Sequence, residues 1–257
     1  MQTRKEKTPE KEVIFGTRPV LEAIDSGKEI NKLLILRGAQ SDVNQEIIQK
    51  AKKLGVPFQK VPVERLNRIT RKNHQGIIAF LSPIQYDNLE AVLPALFESG
   101  ENPLLLVLDQ VTDVRNLGAI CRAAECMGVQ ALVLPSRGGA MINSDAVKTS
   151  AGAIFNLKIC REDDLKKALT FLKQSGLQSV ACTEKGKELV QSADFTAPTA
   201  IVMGSEDTGI SLELMNHSDQ LVRIPMAGKT RSLNVSVSAG IVLYECLKQR
   251  LAVETSA

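Results

Sequence analysis

Three short polar segments carry the residue types most able to do chemistry in this chain. They are DVRNLGAICR (113–122), GSEDTGIS (204–211) and IPMAGKTRSLNVSVSAG (224–240). Together they supply an arginine, a carboxylate, amides, hydroxyls and closely spaced glycines. Each follows an apolar run: LLLVLDQV (104–111), TAIVM (199–203) and QLVR (220–223). Sheets of parallel strands bind ligands at the carboxyl ends of those strands, so all three segments fall where a ligand loop belongs. Taken singly, each could be turn chemistry, with Gly for tight turns and Asn or Ser for caps. Three in this order and spacing make that harder to sustain.

Other chemistries lack their residues. The only histidines are His74 and His217, too few for a His-based metal centre and poor material for a Ser-His-Asp triad. The five cysteines, Cys121, Cys126, Cys160, Cys182 and Cys246, form no CxxC pair. That argues against zinc and a disulfide framework, and they read as buried small hydrophobes. No GxGxxG follows the 104–111 run, and neither GxxxxGK[ST] nor GxSxG occurs. Dinucleotide-binding, P-loop and nucleophile-elbow readings are thereby disfavoured.

The elements that must position the segments show in the hydrophobic pattern. From residue 104, apolar runs typical of strands buried on both faces alternate with helical segments. LGAICRAAECMG (117–128), DDLKKALTFLKQSG and a last stretch from about Leu233 to Leu251 read as helices. VQALVLP (129–135), IFNLKIC and QSVACT read as further strands. Alternation of this kind predicts an α/β fold, a parallel sheet with helices on both faces. Before it, residues 13–83 form a smaller α/β pattern: a helix starting at Pro19–Ile24, strand KLLILRG (32–38), helix Asn44–Leu54 closed by Gly55, then strands PFQKVP and GIIAFL (76–81). Residues 84–101, with Pro83, Pro94, Gly100 and Pro103 in or beside them, hold a short helix-like stretch, LEAVLPALFE, and read as a linker plus entry element. Residues 1–12 read as a disordered tail, and 102–257 as the second domain.

Composition is that of a soluble globular protein, 44% hydrophobic and 24% charged. No apolar run of about 18 residues is present, and MQTRKEKTPEKE lacks the apolar stretch of a signal peptide. No membrane association and a cytoplasmic location are expected. Net charge is +3, but Lys and Arg number 16 against 12 acids in residues 1–100 and 16 against 17 in the rest. The basic excess in the N-terminal part suits a polyanion, and a solvated face explains it equally well.

N-x-G-A-x-x-R (Asn116, Gly118, Ala119, Arg122), G-S-E-x-x-G (Gly204, Ser205, Glu206, Gly209) and I-P-M…S-L-N-V-S (Ile224, Pro225, Met226, Ser232, Leu233, Asn234, Val235, Ser236) together resemble the motifs of the SpoU family of RNA ribose 2′-O-methyltransferases. The resemblance covers roughly 102–250. FGTRPVLEAI (15–24) and HQGIIAF (74–80) are similar to the small substrate-binding domain of the bacterial 23S rRNA guanosine 2′-O-methyltransferases, a domain like that of a small ribosomal protein. The resemblance implies a trefoil-knotted methyltransferase domain, S-adenosylmethionine as cofactor and a homodimer formed through the knotted domain. It implies cofactor contacts at Thr183, Gly204, Gly209, Ile224, Met226 and Leu233, and a catalytic group of Arg122, Asn116, Glu206, Ser232 and Asn234.

Methyl transfer needs few catalytic groups, because the sulfonium is already a good electrophile. The protein must hold the methyl in line with a ribose 2′-oxygen at roughly 3 Å, help the proton leave and steady the oxyanion. The family's motif places Arg122 beside the target ribose. A guanidinium, with pKa above about 12, rarely gives up its proton; its alternative role is to stay charged and hold the phosphate and oxyanion. The bland reading of Arg122 is a surface salt bridge with Glu125. Glu206 could equally stabilise its loop, and Ser232 suits an N-cap. Arg18, Arg65, Arg68, Arg71 and Lys72 are expected to grip RNA phosphates. Aromatics are only 4% of residues, which argues against a broad stacking platform and for structured RNA read by shape. Ribosomal RNA, probed against tRNA and against a non-catalytic ribosome-assembly factor, is the expected partner.

Overall fold

The computed structural model describes residues 13–39, 41–230 and 232–255; the tail expected over 1–12 lies outside them. The chain forms two compact units, one through Gln85 and one from Tyr86.

The first unit runs β1 (Val13–Phe15), α1 (Thr17–Asp25), β2 (Ile30–Leu36), α2 (Asp42–Lys53), β3 (Phe58–Val61), α3 (Val63–Ile69) and β4 (Ile77–Leu81). Strand order is β1-β4-β2-β3, with β2 and β3 parallel and the other pairs antiparallel. Leu33 and Ile35 of β2 and Ile77 and Ala79 of β4 face α1 and α2, packing with Val20, Ile24, Ile47 and Ala51. Helix α2 starts where the Ser41 hydroxyl accepts the Asn44 N–H at 3.3 Å. It ends with Lys50, Lys52 and Lys53 in the last turn, where the helix dipole favours cations. Gly55 follows with φ 64°. The opposite sheet face, Leu34, Ile78 and Val61, meets Leu66 of α3. Helix α3 escaped the sequence pattern because VERLNRI has one buried residue, Leu66.

The second unit runs α4 (Leu89–Glu98), β5 (Leu104–Leu108), α5 (Val114–Cys126), β6 (Ala131–Pro135), α6 (Ser144–Thr149), β7 (Lys158–Glu162), α7 (Leu165–Gln174), β8 (Gln178–Cys182), β9 (Glu188–Leu189), β10 (Thr199–Met203), α8 (Leu212–His217), β11 (Gln220–Arg223) and α9 (Val235–Glu254). Its seven strands are ordered β7-β6-β5-β10-β8-β11-β9, and every pairing is parallel. Helices α4, α7 and α8 supply Leu93, Leu169 and Leu214 to the core on one face, and α5 packs with α6 and α9 elsewhere in the unit. All five residues of β5 and of β10 are buried, which is why these strands read as unbroken apolar runs. The helix-like stretch LEAVLPALFE within the linker region is α4, and its Leu89 and Leu93 belong to this core. The apolar segment IFNLKIC divides: Ala153–Asn156 is a 3-10 turn and only its second half enters β7. Cys121, Cys160 and Cys246 are buried as expected, whereas Cys126 is exposed. Among the described residues no helix is long and apolar enough to cross a membrane.

Candidate active site

Strands β5, β10, β8 and β11 are neighbours and parallel, so their carboxyl ends present four loops side by side. The loops after β5 and β10 are tied at their bases. The Asp109 N–H bonds the Met203 carbonyl at 2.8 Å, and the Asp109 carboxylate accepts the Ser211 N–H at 2.7 Å. The loop between them closes on itself. Ser205 and Gly209 exchange both backbone hydrogen bonds, at 3.2 and 3.0 Å. Gly209 has φ 68°, a left-handed conformation that favours glycine. A Cβ on Gly204 would collide with the backbone of Gly209 and Ile210. The two glycines therefore have a reason in the loop's own closure, beyond the close cofactor approach expected from sequence.

Glu206 projects from this closed loop into the other two segments. Its Oε1 accepts the Asn116 side-chain amide at 3.1 Å, the Val235 N–H at 3.2 Å and the Asn234 side-chain amide. The same Asn234 amide donates to the Asn116 Oδ1 at 3.1 Å. One carboxylate oxygen thus joins all three polar segments, and it sits at the N-terminus of a 20-residue helix, where negative charge is favoured. The N-cap of α9 is Asn234, whose Oδ1 accepts the Ser236 N–H at 2.9 Å. This corrects the expectation that Ser232 caps it: the helix begins at Val235, so Ser232 lies too early in the chain. Asp113 caps α5 by accepting the Arg115 and Asn116 N–H groups at 2.6 and 3.1 Å, which fixes Asn116 at the helix entrance.

Beside this network lies a cavity of about 450 Å³, lined by Thr183, Gly204, Gly209, Ile224, Met226 and Leu233. Glu206 and Ser232 also line it. Asn116 and Asn234 reach its edge through Glu206. Arg122 is exposed on α5; it is not among the lining residues and has no polar partner among the described residues. The bland alternative for it does not hold, because Glu125 instead accepts the Asn156 amide at 3.1 Å. Among the lining residues not predicted from sequence are Cys182, Glu184, Asp207 and Ser238. The rule that loops follow strand ends would have found Glu184, directly after QSVACT, with Cys182 the last residue of that strand. Burial, then the Glu184 charge, pushes the Cys182 thiol up to about 12, so it stays protonated and is no nucleophile.

In the first unit, Arg18, Arg65, Arg68, Arg71 and Lys72 are all exposed. Arg65 and Arg68 stand one turn apart on α3 and Arg71 and Lys72 follow it. Arg18 stands in the first turn of α1, whose start is fastened to the turn before β4. The Gln75 side-chain oxygen accepts the Thr17 N–H and hydroxyl at 3.0 and 2.9 Å. His74 Nδ1 accepts the Gly76 N–H at 3.0 Å, which leaves Nε2 to donate to Asn67 at 3.0 Å.

A parallel α/β unit with such a cavity at its strand ends is the architecture of a protein that binds a small ligand. Residues 103–244 match the SpoU rRNA methylase family, and residues 13–87 match a family described as RNA 2′-O ribose methyltransferase substrate binding. The chain belongs to the SpoU rRNA methylase family. It is 39% identical over 241 residues to an uncharacterized tRNA/rRNA methyltransferase of Synechocystis, covering 93% of this chain and 63% of that protein. It is 32% identical over 237 residues to a putative TrmH-family tRNA/rRNA methyltransferase of Bacillus subtilis, covering 92% and 95%. The SpoU methyltransferase AviRb from Streptomyces viridochromogenes, solved with S-adenosylmethionine, superimposes with TM-score 0.60 at 25% identity over 93% of this chain and 90% of that one. The fold is that of the knotted methyltransferases, and the protein is an S-adenosylmethionine-dependent RNA methyltransferase. The cavity's residues fit that cofactor. Ile210, Ile224 and Leu233 offer apolar surface to an adenine, while Glu184 and Asp207 offer negative charge to a sulfonium and an ammonium. The volume lies in the range of small-molecule sites, about 300–1,000 Å³.

Proposed function

We propose that this enzyme methylates the 2′-oxygen of a ribose in RNA, and that its target is a guanosine of 23S ribosomal RNA, in the cytoplasm. The observation that carries the chemical reading is the Glu206 oxygen joining Asn116, Asn234 and Val235 beside the cavity. When bound, the cofactor would supply an electrophilic methyl and leave as the neutral thioether, and the 2′-hydroxyl that takes the methyl would lose its proton to a phosphate oxygen or water. Arg122 stays charged in this scheme, holding the target phosphate and steadying the oxyanion. Asn116 orients the ribose, with Asn234 and Glu206 holding Asn116 in place. Thr183, Gly204, Gly209, Ile224, Met226 and Leu233 hold the cofactor, and Ser232 faces the substrate. Arg18, Arg65, Arg68, Arg71 and Lys72 hold the RNA backbone. The match of residues 13–87 to the substrate-binding family supports an RNA substrate, and the choice of ribosomal RNA rests on the resemblance of FGTRPVLEAI and HQGIIAF to the domain of the rRNA enzymes.

A homodimer completes the reading. Along α9, Val237 (50% exposed), Ile241 (37%), Tyr244 (58%) and Leu251 (49%) form an apolar stripe at helical spacing, the kind of surface that marks an interface. Sedimentation giving a dimer is expected; a monomer at all concentrations contradicts it. The test of function is ribose-methylation mapping on total RNA from cells with and without the protein. Loss of one 2′-O-methyl in large-subunit rRNA is expected. Loss confined to tRNA would overturn the target, and an unchanged map would overturn the activity.

A further inference from the structure

One residue of the first unit's sheet breaks its own pattern. Side chains of β2 alternate between faces, so Leu33 and Ile35 face α1 and α2 while Lys32, Leu34 and Leu36 face α3. Every strand residue sharing the α3 face on β1 and β4 is apolar: Val13, Phe15, Ile78 and Phe80. Lys32 sits in the middle of this. Its cross-strand partner is Phe80, which in turn pairs with Val13. The lysine is half-buried, and α3, which packs against β2, carries another cation, Arg65, next to its buried anchor Leu66. Burial, and then the Arg65 charge, lowers the Lys32 pKa. Neither side chain has an ion pair among the described residues.

A half-buried lysine on an apolar sheet face, beside a helix that carries a second cation, weakens a fold that could have used an apolar residue at 32. Such an arrangement is sensible where an anion completes it, because low local polarity strengthens the attraction it would make. We propose that Lys32 and Arg65 together grip one backbone phosphate of bound RNA over the Val13–Phe80 floor. This rests on the reading of the first unit as the RNA holder. The chemistry is backbone recognition without sequence readout, so a non-cognate RNA serves as probe.

The experiment measures binding of a labelled RNA stem-loop to the full chain by fluorescence anisotropy across a salt series, with thermal melting alongside. Lys32→Met keeps an unbranched apolar stem of similar length and removes the charge. Affinity should fall roughly tenfold, as for loss of a charge-assisted contact, and the salt slope should drop by about one, while the melting temperature stays level or rises. Lys32→Arg should bind within about twofold of the parent. Unchanged affinity and slope in Lys32→Met, with a lower melting temperature, would mean that the lysine stem merely packs on Phe80 and overturns the proposal. Should Lys32→Met lose both binding and stability, lysine side-chain NMR on the parent decides. The stem-loop must raise the Lys32 pKa; no change, or the same rise with inorganic phosphate alone, sinks the RNA site. A parent chain that binds the stem-loop without salt dependence, and is unaffected by Arg68→Ala, refutes instead the reading of the whole unit.

Discussion

Glu206 and Lys32 are charged side chains in different units, and their surroundings are opposite. Glu206 has three donors on one oxygen, drawn from the first turn of α5 and the N-terminus of α9. Lys32 has a buried stem, a cation for a neighbour and no ion pair among the described residues. The first arrangement satisfies its charge internally and is rigid before any ligand arrives. The second leaves its charge open. A methyl transfer demands placement to within a fraction of an ångström, and a preorganised network supplies it. Holding a long polyanion demands net positive field and tolerates looser geometry. The contrast therefore separates the unit that places atoms from the unit that holds RNA.

That separation breaks most visibly at Arg122. Arg122→Ala should reduce methyl transfer by about a thousandfold, the scale of losing a charge-stabilising donor, while calorimetry shows cofactor affinity unchanged. Full activity would remove Arg122 from the site. Glu206→Gln comes next. It keeps the shape but removes the negative charge at the α9 N-terminus, and kcat should fall roughly a hundredfold. Because Glu206 and Asn234 act through one network, adding Asn234→Ala should cost little more; additive losses would mean that the two act independently. Gly204→Ala is smaller in kcat and larger in binding. The new Cβ collides with Gly209 and Ile210, so the loop must shift. Cofactor affinity should drop by about tenfold, and stability should fall by about 1–3 kcal/mol, as for a strained backbone site, read as a lower melting temperature. Unaltered affinity would show that the loop's closure does not shape the cavity.

Much of the fold was legible because its signals are local. Buried strands such as Leu104–Leu108 and Thr199–Met203 read as unbroken apolar runs, and amphipathic α2 announced itself through Ile47 and Ala51. What stayed hidden depends on distant partners or on weak periods. Helix α3 has a single buried anchor. The α9 cap fell on Asn234 and not Ser232 because both types cap well and only the backbone decides. The site's motifs could be recognised as a resemblance, yet the bonds that unite them span 90 residues from Asn116 to Glu206 and 118 from Asn116 to Asn234. No spacing rule contains those. Lys32 was passed over for a related reason: at the head of KLLILRG it reads as an ordinary strand-end lysine, and its apolar surroundings come from β1 and β4.

The gentlest probe of the contrast is Arg68→Ala in the first unit. Arg68 is exposed near the end of α3, one turn from Arg65, and no bond in the fold depends on it among the described residues. If the unit holds RNA through its backbone, removing one cation should weaken binding only a few-fold, equally for unrelated sequences, and lower the salt slope by about one. Cofactor affinity and the melting temperature should not move. A loss seen for one RNA sequence only would mean that Arg68 reads a base edge, and the unit would then select its target as well as hold it. A loss of melting temperature instead would make Arg68 part of the fold. The division between a satisfied site and an open, charged surface would then no longer run between the two units.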